Sequence, residues 1–420
     1  MSKTSDTRRA IIVIIDGCGI GAAPDVRDFG DAPTVHSLAN TAKAVGGLKL
    51  PTLERLGLGC ISDIEGLQKV ANPMGLCGKL QEVSNGKDTQ TGHWELMGLV
   101  SKTAFPLYPD GFPKDVIDRF IAETGCKGIL CNKPASGTDV LVELGEEHQR
   151  TGFPIVYTSG DSVFQIATHI ETVPLATLYR WCEIAREILQ NEHRVGRVIA
   201  RPFAGEPGKY ERLGGDRRDY SVPPPGKTLL DQLQAAGHGV FGIGKIEDIF
   251  VRHGLTHAKH TGSNKEGLQL TLDAIKGTVD LQPLAIVGNA PDAVSLIFTN
   301  LVDTDMVYGH RRNVKGYAEA LVEIDQWLGK IIAAMQPNDL LLITSDHGND
   351  PTAVGTDHTR EFVPLVAYSP SLETLSKDKK EIGIRDGFFD VAASLASWYG
   401  LKWTGLGKSF VPELATAKNS

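Results

Sequence analysis

The chain has 420 residues, which at about 150 residues per domain predicts two or three domains rather than one core. Glycine is frequent, with 46 residues, but 41 % hydrophobic and 22 % charged residues are typical of a globular protein and exclude a collagen-like or low-complexity chain. The net charge of −8 argues against nucleic acid or an anionic membrane as the main partner, because both require a basic face.

The N-terminal region predicts a buried strand. The apolar run 10–15 ends at Asp16, whereas a membrane-spanning helix needs about 20 apolar residues. The basic leader 1–9 resembles the start of a signal peptide, but the apolar stretch after it is too short. Six scattered cysteines without a CxxC pair indicate reduced thiols. We therefore expect a cytoplasmic protein without a membrane partner.

Short apolar strands alternate with helical patterns in the first and last parts of the chain. The predicted strands are 10–15, 239–243, 294–301, 339–344 and 363–368. The predicted helices are 34–45, 228–236, 265–276, 315–335 and 388–399. This alternation predicts an α/β fold, with a mostly parallel sheet covered by helices on both faces. Functional side chains of such sheets collect at the carboxyl ends of the strands.

The middle of the chain has a different pattern. It carries its own strand signals at 155–158 and 197–201, and helix signals at 114–124 and 174–189. A proline-rich run at 222–226 then precedes the return of the strand–helix alternation. We therefore predict an inserted α+β cap domain, 101–225, which interrupts a core formed by 1–100 and 226–420.

Two groups of acidic and imidazole side chains follow predicted strands. Asp346 and His347 come directly after strand 339–344, and His358 follows eleven residues later. Carboxylate and imidazole ligands suit a borderline divalent metal such as zinc or manganese. A second group follows strand 294–301 and contains three candidate ligands: Asp303, Asp305 and His310. One of its two aspartates is expected to cap a helix instead.

Asp16 is a third candidate ligand, directly after strand 10–15. The glycines that follow it, Gly17, Gly19 and Gly21, lack the GxGxxG spacing of a dinucleotide-binding loop. We expect these glycines to let the backbone pass close to a site that Asp16 enters.

Together these groups provide ligands for two metals, which can clamp the oxygens of a phosphoryl group during in-line transfer. The segment 86–95 offers a nucleophile, because Thr89 or Thr91 would lie at the N-terminus of a predicted helix, where an anion is favoured. Threonine and aspartate are also common helix caps, so position alone does not select between the two hydroxyls.

Seven segments carry a family resemblance over nearly the whole chain. They are the Asp16 loop, KDTQTGHWE (87–95), NKPASGT (132–138), YTSGDSVFQ (157–165), GRVIARPF (196–203), VDTDMVYGHRR (302–312) and TSDHGNDPTAVGTDHTRE (344–361). In this order they resemble the metal-dependent alkaline phosphatase superfamily and, within it, the bacterial phosphopentomutases. The segments of the predicted cap are the specific part, since the metal groups alone indicate only the superfamily.

The resemblance implies a role for each matching residue. One Mn²⁺ ion would be bound by Asp16, Asp346 and His347, and a second by Asp305, His310 and His358. Thr89 would be the phosphorylated nucleophile. Contacts to the sugar phosphate would come from Ser159, Asp161, Arg197, Arg212 and Lys245, with Arg217 and Arg218 as alternatives to Arg212.

The reaction implied by the resemblance is an isomerisation in nucleoside catabolism. It interconverts α-D-ribose 1-phosphate and D-ribose 5-phosphate, and their 2-deoxy forms, through a phosphothreonine enzyme and a 1,5-bisphosphate intermediate. A sugar 1,5-bisphosphate would act as activator. The alternatives are a phosphatase or phosphodiesterase of the same superfamily, a cofactor-independent phosphoglycerate mutase, and a binding protein with structural metals.

Overall fold

The computed structural model describes residues 8–159, 162–285, 287, 290–291, 293–372 and 380–411. The chain forms two compact units. The first consists of Met1–Thr103 together with Pro224–Ser420, and the second of Ala104–Pro223.

The strands are β1 (Arg9–Ile15), β2 (Leu76–Leu80), β3 (Leu130–Pro134), β4 (Ile155–Thr158), β5 (Val163–His169), β6 (Arg197–Ala204), β7 (Glu211–Arg212), β8 (Arg218–Ser221), β9 (Gly239–Ile243), β10 (His257–Lys259), β11 (Val294–Leu301), β12 (Asp339–Thr344), β13 (Val363–Tyr368) and β14 (Glu381–Arg385). The helices are α1 (Ser37–Val45), α2 (Pro51–Leu56), α3 (Leu58–Ile61), α4 (Thr89–Leu96), α5 (Lys114–Thr124), α6 (Asp139–Thr151), α7 (Leu175–Ile188), α8 (Leu229–Ala235), α9 (Ile246–Phe250), α10 (Asn264–Lys276), α11 (Val314–Ala334) and α12 (Asp390–Tyr399). A π-helical turn spans Thr304–Gly309.

The first unit is built on one sheet with the strand order β10-β9-β11-β1-β12-β13-β2-β14. Only the pairs β12–β13 and β13–β2 are antiparallel, so the predicted mostly parallel α/β sheet is confirmed. Successive residues of β1 face opposite sides, and all are buried from Ala10 to Ile15. Ile11 and Val13 pack in the cluster that includes α1, α10 and α11, and the other face is also buried, as expected for a sheet covered on both sides.

The central strands end at the same edge of this sheet. Ile15, the last residue of β1, pairs with Leu301 at the end of β11, and Ile14 pairs with Thr344 at the end of β12. The residues that follow these three strands therefore lie close together, as the carboxyl-end rule for parallel sheets predicts.

The second unit contains a mixed sheet with the order β3-β4-β5-β6-β7, and β8 pairs with β6. One face of the sheet packs on α5 and α7 through a cluster that includes Phe120, Phe164 and Leu178. The other face packs on α6 through Val140, Leu141 and Tyr157. This unit is therefore an α+β arrangement with helices on both faces.

Several element boundaries differ from those predicted from sequence. Helix α1 begins at Ser37 rather than residue 34, because the side chain of His36 accepts a hydrogen bond from the amide of Ala39 and caps the helix. Strands β2 and β14 were not predicted. No helix among the described residues is long and apolar enough to cross a membrane.

Asp325 on α11 caps a different helix, α2. Its buried carboxylate accepts hydrogen bonds from the amides of Thr52 (3.1 Å) and Leu53 (2.7 Å). We expect Asp325→Ala to lower the free energy of unfolding by about 2 kcal/mol, because two helix-terminal amides lose a charged acceptor. Chemical denaturation measures this change. The exposed neighbour Gln326 provides the control, and equal stability of Asp325→Ala and Gln326→Ala would contradict the assignment.

Candidate active site

The first group of polar side chains consists of Asp16, Asp346 and His347, and all three are almost completely buried. Nε2 of His347 lies 3.3 Å from Oδ1 of Asp16 and 3.4 Å from Oδ2 of Asp346. Nδ1 of His347 lies 3.1 Å from the carbonyl oxygen of Gly348, which turns Nε2 towards the carboxylates. Among the described residues, those two carboxylate oxygens have no hydrogen-bond donor in good geometry.

The second group consists of Asp305, His310 and His358. Nε2 of His310 is 3.4 Å from Oδ2 of Asp305, and Nε2 of His358 is 3.3 Å from Oδ1. Nδ1 of His310 donates to the carbonyl of Thr356 and Nδ1 of His358 to that of Lys87. These backbone bonds orient both rings, so that their Nε2 atoms face Asp305 and lie 3.2 Å from each other.

Burial and neighbouring charges shift the pKa values of both groups. Burial raises the pKa of Asp305, but the imidazoles of His310 and His358 outweigh it and hold that pKa well below its usual value. Burial likewise opposes ionisation of Asp16, and the Lys245 ammonium contributes to lowering its pKa to about 2. Burial lowers the pKa of His347, yet the nearby carboxylates, Asp346 foremost, raise it well above its usual value. The carboxylates of this buried region therefore stabilise any positive charge placed among them.

The donor atoms fit divalent cations. Two sets of ligand atoms each lie within 4.8 Å of one another: Asp16, Asp346 and His347 form one, and Asp305, His347 and His358 form the other. The two sets share His347, whose ring stacks on that of His358 with centroids 3.9 Å apart. Buried carboxylate oxygens without donors, next to imidazole nitrogens turned inward, are the arrangement that a borderline divalent metal requires.

Helix α4 brings Thr89 to these groups. Asp88 caps the helix and accepts hydrogen bonds from both the amide (3.0 Å) and the hydroxyl (2.6 Å) of Thr91. The hydroxyl of Thr89 instead lies 3.2 Å from Nε2 of His347. The geometry thus distinguishes the two threonines that sequence position left open: Thr91 serves the cap, and Thr89 faces the metal-ligand candidates.

Close packing fixes α4 against the end of β12. A Cβ atom on Gly92 would lie 2.0 Å from the carbonyl oxygen of Asp346, so only glycine allows this approach. His93, one turn after Thr89, is fully buried and its Nδ1 lies 2.8 Å from the Thr89 carbonyl and 3.2 Å from Oδ2 of Asp346. The helix that carries Thr89 is therefore packed directly against a metal-ligand candidate.

Arg360 joins the loop before α4 to the loop that carries His358. Its guanidinium is 1 % exposed, pairs with Asp25 (2.9 Å) and Glu82 (2.6 Å), and donates to the carbonyl of Gly86. Burial raises the pKa of Glu82 well above its usual value although Arg360 opposes this. The contacts of Arg360 hold the loop before α4 in place.

Sequence reasoning did not assign these supporting residues. His93, Asn349 and Arg360 lie inside the segments that carry the family resemblance, next to the predicted ligands. Their closeness in sequence to those ligands is the feature that could have identified them. Asn349 donates to Oδ1 of Asp305 (2.7 Å), and Asn300 donates to Oδ2 of Asp16 (3.1 Å). Asn300 is the penultimate residue of an apolar strand, and its position gave no such signal.

Asp303 lies outside both groups. Its carboxylate accepts a hydrogen bond from the amide of Asn264 (2.9 Å) at the start of α10, and its own amide donates to the Asn264 side chain (2.9 Å). The expectation that one aspartate of this segment caps a helix is met by Asp303, which leaves Asp305 beside the imidazoles.

The predicted substrate contacts are distributed over both units. In the first unit, Nζ of Lys245 lies 3.4 Å from Oδ2 of Asp16. In the second unit, Ser159 follows β4, Arg197 pairs with Asp219 (3.3 Å), and Arg212 is exposed on β7. Asp161 lies outside the described residues.

The two alternatives to Arg212 have other partners. Arg217 forms two hydrogen bonds of 2.7 Å with Asp219. The guanidinium of Arg218 stacks on the ring of Tyr179, 3.8 Å from its centroid, on the α7 side of the sheet.

The contact of Gly92 with Asp346 generates a stability prediction. We expect Gly92→Ala to lower the free energy of unfolding by about 2–4 kcal/mol, because a backbone carbonyl cannot move away as a flexible side chain would. Gly329→Ala in α11 is the matched control, since its Cβ would meet only the Thr52 hydroxyl at 3.4 Å, and alanine is the better helix former. Denaturant midpoints compare the two variants, and equal midpoints would rule out the proposed constraint.

Comparison with known proteins places this site in a family. Residues 8–403 match the family described as the Metalloenzyme superfamily. A phosphopentomutase of Caldanaerobacter subterraneus subsp. tengcongensis is 50 % identical over 409 residues, which cover 97 % of this chain and 98 % of that relative. A phosphopentomutase of Deinococcus radiodurans is 51 % identical over 407 residues, which cover 96 % of this chain and 99 % of the relative.

Among solved structures, the PH0037 protein of Pyrococcus horikoshii is similar with a TM-score of 0.47 and 14 % identity, over 95 % of this chain and 100 % of that one. That similarity is too distant to bear on activity, whereas the sequence relatives match along nearly their whole length. With about half of its residues identical to theirs, the chain belongs to the phosphopentomutases, isomerases within the metalloenzyme superfamily.

Proposed function

We propose that this enzyme interconverts α-D-ribose 1-phosphate and D-ribose 5-phosphate, and their 2-deoxy forms, through a phosphothreonine at Thr89 and a sugar 1,5-bisphosphate. The observation that carries the proposal is the Thr89 hydroxyl at the start of α4, 3.2 Å from His347 and beside two sets of metal-ligand candidates. The near full-length relatives named phosphopentomutase support the substrate class.

Two Mn²⁺ ions are the proposed cofactors. Asp16, Asp346 and His347 would hold one ion, and Asp305, His310 and His358 the other, because mixed carboxylate and imidazole ligands suit this metal. Bound there, the cations would neutralise charge on the phosphoryl group and lower the pKa of the attacking hydroxyl.

Thr89 would carry the phosphoryl group between the two ends of the sugar. In the first step the bond from phosphorus to Oγ1 of Thr89 breaks, a bond to the free sugar hydroxyl forms, and that hydroxyl loses its proton. In the second step Oγ1 of Thr89 attacks the other phosphate, and the released sugar oxygen takes up a proton. No phosphate is lost, so a sugar 1,5-bisphosphate is needed only to phosphorylate Thr89 initially.

The chain contributes charge and shape around this transfer. The first-turn amides of α4 favour an anion at Thr89, and the His93 bond to the Thr89 carbonyl fixes the turn that carries it. We propose that the second unit is a cap that contacts the sugar phosphate through Ser159, Asp161, Arg197 and Arg212, with Lys245 acting from the first unit. Keeping water from the phosphothreonine is what separates a mutase from a phosphatase.

The unpaired thiols of all six cysteines support a cytoplasmic location.

Thr89→Ala tests the nucleophile. We expect at least a thousand-fold loss of ribose 5-phosphate conversion, on the order seen when a covalent nucleophile is removed. After incubation of the wild type with ribose 1,5-bisphosphate, peptide mass spectrometry should find one added phosphoryl group on Thr89 and none on Thr91.

Thr91→Ser is the matched control, because serine keeps the hydroxyl that binds Asp88. Its activity and phosphoryl adduct should match the wild type. Retained turnover in Thr89→Ala would exclude Thr89 as nucleophile. Release of inorganic phosphate faster than formation of ribose 1-phosphate would instead favour the phosphatase alternative.

Metal removal tests the assigned ligands. We expect a chelator to lower the melting temperature and Mn²⁺ to restore it, because an ion at one hundred times its Kd stabilises the folded state by about 2.7 kcal/mol. Asp305→Asn should reduce this Mn²⁺-dependent shift, and Asp303→Asn should preserve it, since Asp303 caps α10. Differential scanning calorimetry with and without Mn²⁺ compares the shifts, and equal shifts in the two variants would contradict the ligand assignment.

A further inference from the structure

Asn300 is a buried polar residue at the end of an otherwise mostly apolar strand. It is the last residue but one of β11 and is 1 % exposed. It pairs with Ile14 of β1, two residues before Asp16, so it lies at the carboxyl edge of the sheet. A buried amide is unfavourable unless it is hydrogen-bonded, so the partners of Asn300 indicate what it does there.

The amide nitrogen of Asn300 faces two partners at once. Nδ2 donates to Oδ2 of Asp16 over 3.1 Å and lies 3.4 Å from Nε2 of His93. An amide nitrogen carries two protons, so one nitrogen can donate to both groups. Within the part of the chain that the structure describes, Oδ1 of Asn300 accepts no hydrogen bond. The contribution of this side chain is therefore made through Nδ2, which joins Asp16 to His93.

The first consequence concerns the orientation of the Asp16 carboxylate. Its Oδ2 atom is held by Asn300 and by the ammonium of Lys245, 3.4 Å away. Its Oδ1 atom has no donor in good geometry among the described residues and lies 3.3 Å from Nε2 of His347. The bonds to Oδ2 fix the rotation of the carboxylate. They leave Oδ1 as the oxygen that faces the other metal-ligand candidates.

The second consequence concerns the helix turn that carries Thr89. Nδ1 of His93 lies 2.8 Å from the Thr89 carbonyl oxygen, which can only accept, so Nδ1 carries the proton. Nε2 of His93 is then the acceptor for the second proton of the Asn300 amide. The ring is fully buried and also packs near Phe298 of β11, with centroids 5.8 Å apart. The position of the Thr89 turn therefore depends on β11 through Asn300 and His93.

We infer that Asn300 is a positioning residue for phosphoryl transfer, because its amide nitrogen orients the Asp16 carboxylate and, through His93, the turn that carries Thr89. This inference rests on the proposed function, in which Asp16 binds a metal and Thr89 is the nucleophile. Asn300 acts on the reaction through these neighbours rather than by contact with the phosphoryl group. One side chain thus sets the distance between a metal ligand and the attacking oxygen, on which in-line transfer depends.

Steady-state kinetics with ribose 5-phosphate and saturating Mn²⁺ test this role. Asn300→Leu removes the amide at nearly constant volume. We expect it to lower kcat about ten- to a hundredfold and to leave KM within about threefold, because no proposed substrate contact is changed. Unchanged kcat would overturn the inference. Should Asn300→Leu fail to fold, Asn300→Ser, which also removes the amide nitrogen, replaces it in every measurement.

Thr299→Val is the matched control. Thr299 is the preceding residue of β11, on the opposite face, and is equally buried. Its hydroxyl lies 2.6 Å from the hydroxyl of Thr271 on α10, so the variant also removes a buried hydrogen bond from this strand. We expect its kcat to stay within about twofold of the wild type, since this bond is remote from Asp16 and Thr89. Equal losses of kcat in Thr299→Val and Asn300→Leu would show a general effect of strand stability and would overturn the inference.

Calorimetric titration of Mn²⁺ measures the orienting role independently of activity. Mn²⁺ is titrated into chelator-treated wild type, Asn300→Leu and Thr299→Val. We expect Asn300→Leu alone to weaken Mn²⁺ binding about tenfold, because the Asp16 carboxylate loses a bond that orients it. Unchanged Mn²⁺ affinity would overturn the inference. If the wild type forms no phosphothreonine while the loss of affinity in Asn300→Leu remains, only the proposed function fails.

Variants of His93 test the link to Thr89. Asparagine can place an amide nitrogen near the position of Nδ1 and keep the donor to the Thr89 carbonyl, whereas phenylalanine keeps a ring and loses the donor. We expect His93→Phe to lower kcat about tenfold or more and His93→Asn to recover about threefold of that loss. Equal kcat in the two variants would overturn the link.

The double variant Asn300→Leu with His93→Phe tests whether the two residues act together. We expect its loss of kcat to be smaller than the product of the two single losses, because both single variants disturb the same turn. A loss equal to that product would show that Asn300 and His93 act independently and would overturn the inference.

Discussion

The site in the first unit depends on the burial of several carboxylates at one edge of a parallel sheet. Asp16 and Asp346 are completely shielded from solvent, and each keeps an oxygen that accepts no hydrogen bond from the part of the chain that the structure describes. Negative charge of this density is costly in a dry interior unless protons or cations compensate it. This negative charge is compensated by the inward-facing imidazoles and the Lys245 ammonium, and would be compensated further by the proposed metals. The strand ends that position these carboxylates thus also determine that the site requires positive charge.

The placement of Thr89 follows from how helix α4 approaches this charge. Gly92 lacks the side chain that would collide with the Asp346 carbonyl, and His93 donates to the Thr89 carbonyl while its ring lies against the Asp346 carboxylate. The loop before the helix is held by Arg360, and the Lys87 carbonyl accepts a bond from His358. Helix α4 and the loop before it therefore contact residues from both ligand groups, which would couple the proposed nucleophile to both proposed metals.

Sequence patterns predicted β1, β9, β11, β12 and β13 well because these strands are mostly apolar and buried. They did not predict β2, where glycine and lysine interrupt the pattern, or β14, which is short and largely exposed. Spacing could not separate Thr89 from Thr91, or Asp305 from Asp303, because each pair offers the same chemistry at nearly the same position. The members of each pair are told apart by their hydrogen-bond partners in the structure. Thr91 bonds to Asp88 and Asp303 bonds to Asn264, and the second contact joins residues that are distant in sequence.

The two units differ in their electrostatics. The first contains buried carboxylates that require cations, whereas the second groups the guanidinium side chains of Arg197 and Arg217 around the Asp219 carboxylate. A hydrolase of this chemistry needs only the first, because its product leaves once the phosphoryl group is transferred. A mutase must also retain a sugar that bears phosphate at both ends while those ends exchange roles. Contacts to the sugar phosphate that do not depend on the metals would provide this retention in the proposed mutase.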